Sequence, residues 1–247
     1  MSFKMSDSVK IFHTPSDLAG YFAEELIARI RKAARNQRPF TIALSGGSTP
    51  KFLFKILAEK YSVSVDWRYV HFFWGDERCV PPDDPESNFG AASLIFLSKI
   101  KIPAENIHMI HGEENPRREA ARYSEEIRKF TSQTNGLPAF DIIILGMGDD
   151  GHTASIFPGN LHLLESEKIC ETALHPVSGQ QRITITGKVI NNSDSVYFMV
   201  TGDSKAKIIK QIFKKEPASL NFPATHIIPM QGRAFWLLDE KAGAYII

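Results

Sequence analysis

Apolar residues recur along this chain in two alternating patterns. Compact apolar runs at Val9–His13, Phe40–Leu44, Val70–Trp74, Ile107–Ile110, Phe140–Leu145, Ile169–Leu174, Arg182–Thr186, Val196–Val200 and Phe235–Leu238 predict strands. Between several of them the period changes to that of a helix. Leu18, Phe22, Leu26 and Ile30 share one face of a helix running to about Asn36. Thr14 is its N-cap, Pro15 lies in its first turn, and Asp17 follows the cap by three residues. Phe52, Leu53, Ile56 and Leu57 mark a second helix, Phe89–Ile100 a third and the charged stretch Pro116–Phe130 a fourth. A fifth follows Thr201-Gly202-Asp203-Ser204-Lys205 and runs to about Lys214. Cys79–Asn88, rich in prolines and acids, predicts an irregular loop. Strands alternating with helices predict an α/β fold, a doubly wound and mostly parallel sheet with helices on both faces. No repeat, low-complexity tract or linker interrupts the chain, so residues 1–247 are expected to form a single domain.

Composition narrows the class of partner. Lys and Arg number 29 against 28 Asp and Glu, a formal net charge of +1. Such a balance gives no overall pull toward nucleic acid or an acidic membrane surface and leaves room only for a local basic pocket. Two cysteines, Cys79 and Cys170, cannot build a disulfide framework, which fits a reducing compartment. The N-terminal MSFKMSDSVKIFH lacks the apolar core of a signal peptide, and no apolar run approaches the roughly 20 residues that span a bilayer. A cytoplasmic protein with neither a nucleic-acid nor a membrane partner is expected.

Polar clusters follow several of the predicted strands, where parallel α/β sheets bind their ligands. Ser45-Gly46-Gly47-Ser48-Thr49-Pro50 joins a strand to a helix. Its glycines allow close backbone approach, and the helix start offers free N–H groups to a phosphate. It lacks the Gly-Lys-Ser/Thr ending of a Walker A loop, and a simple helix cap on a tight turn is the alternative. Asp76-Glu77-Arg78 follows the next strand. Arg78 has the planar fork that binds phosphate or carboxylate, with the acids to orient it or move a proton; a solvated charge cluster is the alternative. Cys79 lacks an evident base and reads as a structural thiol rather than a nucleophile.

The stretch DIIILGMGDDGHTASIFPG at residues 141–159 contains a literal Gly-x-Gly-x-x-Gly at Gly146, Gly148 and Gly151. A dinucleotide site is rejected, because Asp149 and Asp150 would sit against a pyrophosphate. The same turn displays His152 behind a carboxylate, a pair able to take a proton from water near neutral pH; a capping or core histidine is the alternative. Lys205 at a helix start and Arg182 in GQQRITIT add possible positive groups, each otherwise an ordinary surface or strand-edge charge. The remaining histidines show no metal-ligand spacing, so neither a metal nor a cofactor is expected.

SGGSTP at 45–50, WGDERCVPPDDPESNFGAA at 74–92, GMGDDGHTASIFPG at 146–159 and TGDSKA at 201–206 together resemble the 6-phosphogluconolactonases. The related glucosamine-6-phosphate deaminases typically carry Asp-Glu-Tyr where Asp76-Glu77-Arg78 stands. The resemblance implies a Rossmann-like sheet without a dinucleotide. It also implies metal-free hydrolysis of 6-phospho-D-glucono-1,5-lactone to 6-phosphogluconate, in the oxidative pentose phosphate pathway. It places the base on His152, oriented by Asp150 or Asp149. The phosphate site falls on Ser45, Gly46, Gly47, Ser48 and Thr49, with Arg78, Lys205 and, less defined, Arg182. The implied partner is a phosphorylated sugar lactone, and the implied assembly a monomer or small homo-oligomer. Two alternatives stay open. One is a sugar-phosphate isomerase or deaminase in which Asp76 abstracts a proton. The other is a non-catalytic sugar-phosphate sensor, although the short N-terminal segment has no room for the helix-turn-helix such sensors usually carry.

Overall fold

A computed structural model describes residues 9–246; the signal-peptide reading falls partly on residues 1–8, outside the described residues. In chain order the elements are β1 (Val9–Phe12), α1 (Pro15–Arg35), β2 (Phe40–Leu44), α2 (Ser48–Lys60), β3 (Val70–Trp74), β4 (Asp76–Arg78), α3 (Asn88–Ile95), α4 (Pro116–Phe130), β5 (Ser132–Thr134), β6 (Leu137–Ala139), β7 (Ile142–Leu145), β8 (Cys170–Leu174), β9 (Gln181–Ile185), α5 (Gly187–Asn191), β10 (Ser195–Val200), α6 (Ala206–Phe213), β11 (Arg233–Asp239) and α7 (Glu240–Gly243). Short 3-10 turns fall between several of them.

Helix α1 starts at the expected cap. Thr14 Oγ1 accepts from Asp17 N at 3.1 Å, and Asp17 Oδ2 accepts from Thr14 N at 3.1 Å. Such a reciprocal cap contributes about 1 kcal/mol. The helix buries Leu18, Phe22, Leu26 and Ile30. Six parallel strands form the main sheet in the order β1-β11-β10-β7-β2-β3. Every residue of β2, β7 and β10 is buried. A parallel sheet covered by helices demands this, and it explains why these strands read as apolar runs rather than alternating patterns. From β2 the chain steps outward to β3, whereas β7, β10 and β11 step the other way. The strand order therefore reverses between β2 and β7. The loops leaving those two strands part there and open a crevice.

The structure corrects three expectations. Ile107–Ile110 is not a strand. It makes one parallel bridge, Phe72 to Ile107, and His108 N donates to Phe72 O at 2.8 Å. Tyr123 then closes that edge of β3: its hydroxyl accepts from Trp74 N at 2.7 Å and donates to Trp74 O at 3.0 Å. A side chain from α4 thus takes the backbone groups that a longer strand would have paired with.

Asp76–Arg78, expected as a strand exit, is itself strand β4 of a second, antiparallel sheet in the order β4-β9-β8. Ile169–Leu174 and Arg182–Thr186 supply β8 and β9 of this sheet rather than strands of the parallel one. Gly75 is the joint between the two sheets. Its N–H donates to Leu44 O and its carbonyl accepts from Ile185 N, both at 2.8 Å. Helix α6 follows Thr201–Lys205 as expected, with Asp203–Lys205 forming a 3-10 turn before it. Among the described residues no helix is long and apolar enough to cross a membrane.

Candidate active site

A cavity of about 270 Å³ opens at the point where the strand order reverses, lined by the residues that leave β2, β7 and β10. Ser45, Gly46, Gly47, Ser48 and Thr49 form one side. Helix α2 starts at Ser48 behind Gly47, which has a φ of +99° and offers no side-chain cap. A glycine takes that backbone conformation without strain. The first N–H groups of α2 thus have no side-chain acceptor and border the cavity, where they can meet a ligand. The Thr49 hydroxyl is engaged with that of Thr201 at 2.8 Å.

Two arginines form the opposite wall. In the β4–β9 register Arg78 stands directly across from Arg182. Like charges so placed repel. Arg182 is only 8% exposed, its side chain makes no hydrogen bond or ion pair among the described residues, and its Nε is buried without an acceptor. Burial, and then the charge of Arg78, holds its guanidinium below the ordinary arginine range. Arg78 Nη1 donates to Glu86 O at 2.6 Å, but its Nε is likewise buried without a partner. Buried guanidinium nitrogens without acceptors leave strong donor capacity unused, which suits an anion entering from the cavity.

Glu77 does not join this wall. It is 1% exposed and anchors the following loop: Oε1 accepts from Arg78 N and Asn88 N, and Oε2 from Phe89 N, each at 2.8 Å. Burial pushes its carboxyl upward while these backbone bonds pull it back. The effect is to fix Asn88 beside Asp76, whose backbone oxygen accepts from Asn88 Nδ2 at 2.9 Å.

The third wall is the turn after β7. His152 Nδ1 lies 2.6 Å from Asp150 Oδ1, which also accepts from His152 N at 3.0 Å. Burial raises the Asp150 carboxyl, but the bonds and charge of His152 outweigh it and hold it at about 2. Asp150 is therefore a carboxylate at neutral pH. A carboxylate accepts, so Nδ1 donates to it, and Nε2 is the ring nitrogen left to act as a proton acceptor. Two glycines make the turn possible. A Cβ on Gly148 would lie 2.1 Å from His152 Nδ1, and Gly151 has a φ of +80° with Phe222 packed against it. Asp149 does not touch this pair: its carboxylate binds the Lys205 ammonium.

Of the candidate residues, Ser45, Gly46, Gly47, Ser48, Thr49, Arg78, His152, Arg182 and Lys205 all line the cavity, whereas Asp149 and Asp150 stand behind it. Sequence reasoning did not single out Asn88, Ser155 or His175, which line it too. Ser155 Oγ donates to Asp76 Oδ2 at 2.7 Å and Ser155 N to Thr184 Oγ1 at 3.2 Å, tying the β7 turn to the second sheet. Asn88 and Ser155 fall inside the recognised motifs and were open to notice. His175 sits in an irregular loop with no signal of its own. The Cys79 thiol is pushed up to about 11, chiefly by burial, and is unsuited to nucleophilic work.

A parallel α/β sheet whose crevice joins a cationic wall to a histidine–carboxylate pair defines a class: proteins that hold a small anion beside a base. The comparisons narrow this. A family profile described as glucosamine-6-phosphate isomerases/6-phosphogluconolactonase matches residues 13–236, and the chain belongs to that family. It is 47% identical to the 6-phosphogluconolactonase of Haemophilus influenzae over 205 residues, covering 83% of this chain and 86% of that one. The crystal structure of devB protein matches with a TM-score of 0.92 at 42% identity, over 97% of this chain and 99% of that one. The 6-phosphogluconolactonase of Leishmania guyanensis matches with a TM-score of 0.87 at 28% identity, over 97% and 98%.

Proposed function

We propose that this chain hydrolyses 6-phospho-D-glucono-1,5-lactone to 6-phospho-D-gluconate. The observation that carries the reading is the His152 imidazole, paired to Asp150 at 2.6 Å, in one cavity with Arg78, Arg182 and Lys205. The cations and the Ser45–Thr49 loop hold the 6-phosphate, and that remote binding places the lactone ring against His152. His152 Nε2 takes a proton as water oxygen bonds to the lactone carbonyl carbon. Asp150 holds the ring and stabilises the imidazolium that forms. Negative charge on the carbonyl oxygen then collapses back as the ring C–O bond breaks, and the imidazolium returns its proton to the departing ring oxygen. The reaction as written needs water and side chains alone. An activated ester of this kind asks for no covalent nucleophile.

The deciding experiment is a lactonase assay on freshly made 6-phosphogluconolactone, corrected for spontaneous hydrolysis. Acid release well above the uncatalysed rate is expected. Ammonia released from glucosamine 6-phosphate without lactonase activity would instead favour the isomerase or deaminase reading, with Asp76 at the cavity wall as base.

A further inference from the structure

Asp149 has no part in the roles above, yet it is the partner of one of their cations. Its carboxylate binds the Lys205 ammonium, the side chains being 71% and 17% exposed. Lys205 lines the cavity and Asp149 does not. Hydrogen bonds from Lys205 and then Ser204 hold the Asp149 carboxyl below its ordinary range, so it is charged at neutral pH. Arg78 and Arg182, by contrast, face the same cavity with buried Nε groups that bind nothing. One cation of the three is therefore already occupied by a carboxylate that stands outside the cavity.

We propose that Asp149 is a resident competitor that occupies Lys205 until a dianionic phosphate displaces it, and so sets the affinity of this site for phosphate. The inference rests on the reading of Lys205 as a phosphate ligand. An ammonium leaving Asp149 for another single negative charge exchanges one equivalent contact for another and gains little. Leaving it for a phosphomonoester, with nearly two charges and three acceptor oxygens, is favourable. Asp149 thus lowers the affinity of the site for every anion that must take Lys205, and a phosphate dianion is the one that recovers this cost. It also keeps a third uncompensated cation away from the Arg78–Arg182 pair while the cavity holds no ligand.

The test is titration calorimetry with inorganic phosphate at pH 8 on the full chain and on the D149N, K205A and D149N/K205A variants. Asp149 is exposed and asparagine has its shape, so D149N leaves the packing intact. D149N is expected to bind phosphate about fivefold tighter than wild type, the scale of an exposed ion pair of favourable geometry. In the K205A background the same change should matter much less. D149N binding that is unchanged or weaker overturns the proposal, as does an equal gain with and without Lys205, which would mark simple repulsion. K205A binding equal to wild type, or no binding by wild type, instead overturns the phosphate role of Lys205 on which the proposal rests.

Discussion

Arg182→Met separates the binding role of Arg182 from any structural one, because the two predict opposite changes. Arg182 is 8% exposed, stands across the sheet from Arg78, and its side chain has no hydrogen-bond or ion-pair partner among the described residues. Methionine keeps the apolar stem and removes the charge. In the ligand-free protein this relieves an unpaired buried cation and a like-charge contact. Replacing such groups by apolar ones stabilises by about 1–2 kcal/mol in comparable settings. For a chain of this length each kcal/mol moves the melting temperature by about 2–4 °C, so a rise of roughly 2–8 °C is expected. With the phosphorylated lactone the variant forfeits a hydrogen bond to a charged group, about 1.5–3 kcal/mol, and KM should rise about 10- to 150-fold with kcat little changed. Scanning fluorimetry in phosphate-free buffer and steady-state kinetics on fresh lactone measure both sides. A variant that melts lower while keeping its KM would refute the reasoning and make Arg182 a structural residue.

Three further outcomes follow from the geometry. His71 and His108 stack beside Phe130 and share a contact of 2.9 Å between ring nitrogens; burial is the main cause holding both below the ordinary imidazole range, with Glu126 partly restoring His108. The unfolded chain takes up these protons below about pH 6.5, so their stabilising contribution is complete above that pH and is lost as pH falls, by up to about 1.4 kcal/mol per unit for each group. Urea unfolding of His71→Phe between pH 7 and 5 should show a shallower slope than wild type; an identical slope would contradict this. Gly151→Ala forces a side chain into a φ of +80° with its Cβ 2.6 Å from Phe222 Cβ, and should cost about 1–3 kcal/mol and lower kcat by displacing His152; an unperturbed melting temperature and turnover would count against this account of the turn. The Cys79 thiol, raised to about 11, should alkylate far more slowly at pH 8 than a free thiol, and Cys79→Ser should retain turnover; rapid labelling with loss of activity would reverse that reading.

The elements most open to sequence reading were those whose own residues decide them. The Thr14–Asp17 cap, the apolar runs of β2, β7 and β10, the amphipathic face of α1 and the charged stretch of α4 carry their instructions locally. The site motifs were readable for a related reason: each follows such a strand, and a parallel sheet delivers strand exits to one edge. What escaped was decided at a distance. Nothing within Ile107–Ile110 announces that Tyr123 closes the edge it would have joined. Nothing within Asp76–Arg78 announces that it pairs with β9 more than a hundred residues later. That pairing sets Arg182 opposite Arg78, which is why the role of Arg182 was the least defined from sequence. The hairpin β5–β6 turns on Asn135-Gly136, both with positive φ, a local hairpin signal within the sequence. Choosing between Asp149 and Asp150 behind His152 also needed coordinates, since adjacent residues of a tight turn point in different directions.

The central claim is that His152, held by Asp150, activates the water that opens a lactone whose phosphate is bound elsewhere in the cavity. Turnover of His152→Ala on fresh 6-phosphogluconolactone, measured alongside its affinity for inorganic phosphate, tests this most directly. The account predicts a loss of kcat on the order of a hundredfold or more with phosphate affinity retained. A kcat within about threefold of wild type would contradict it.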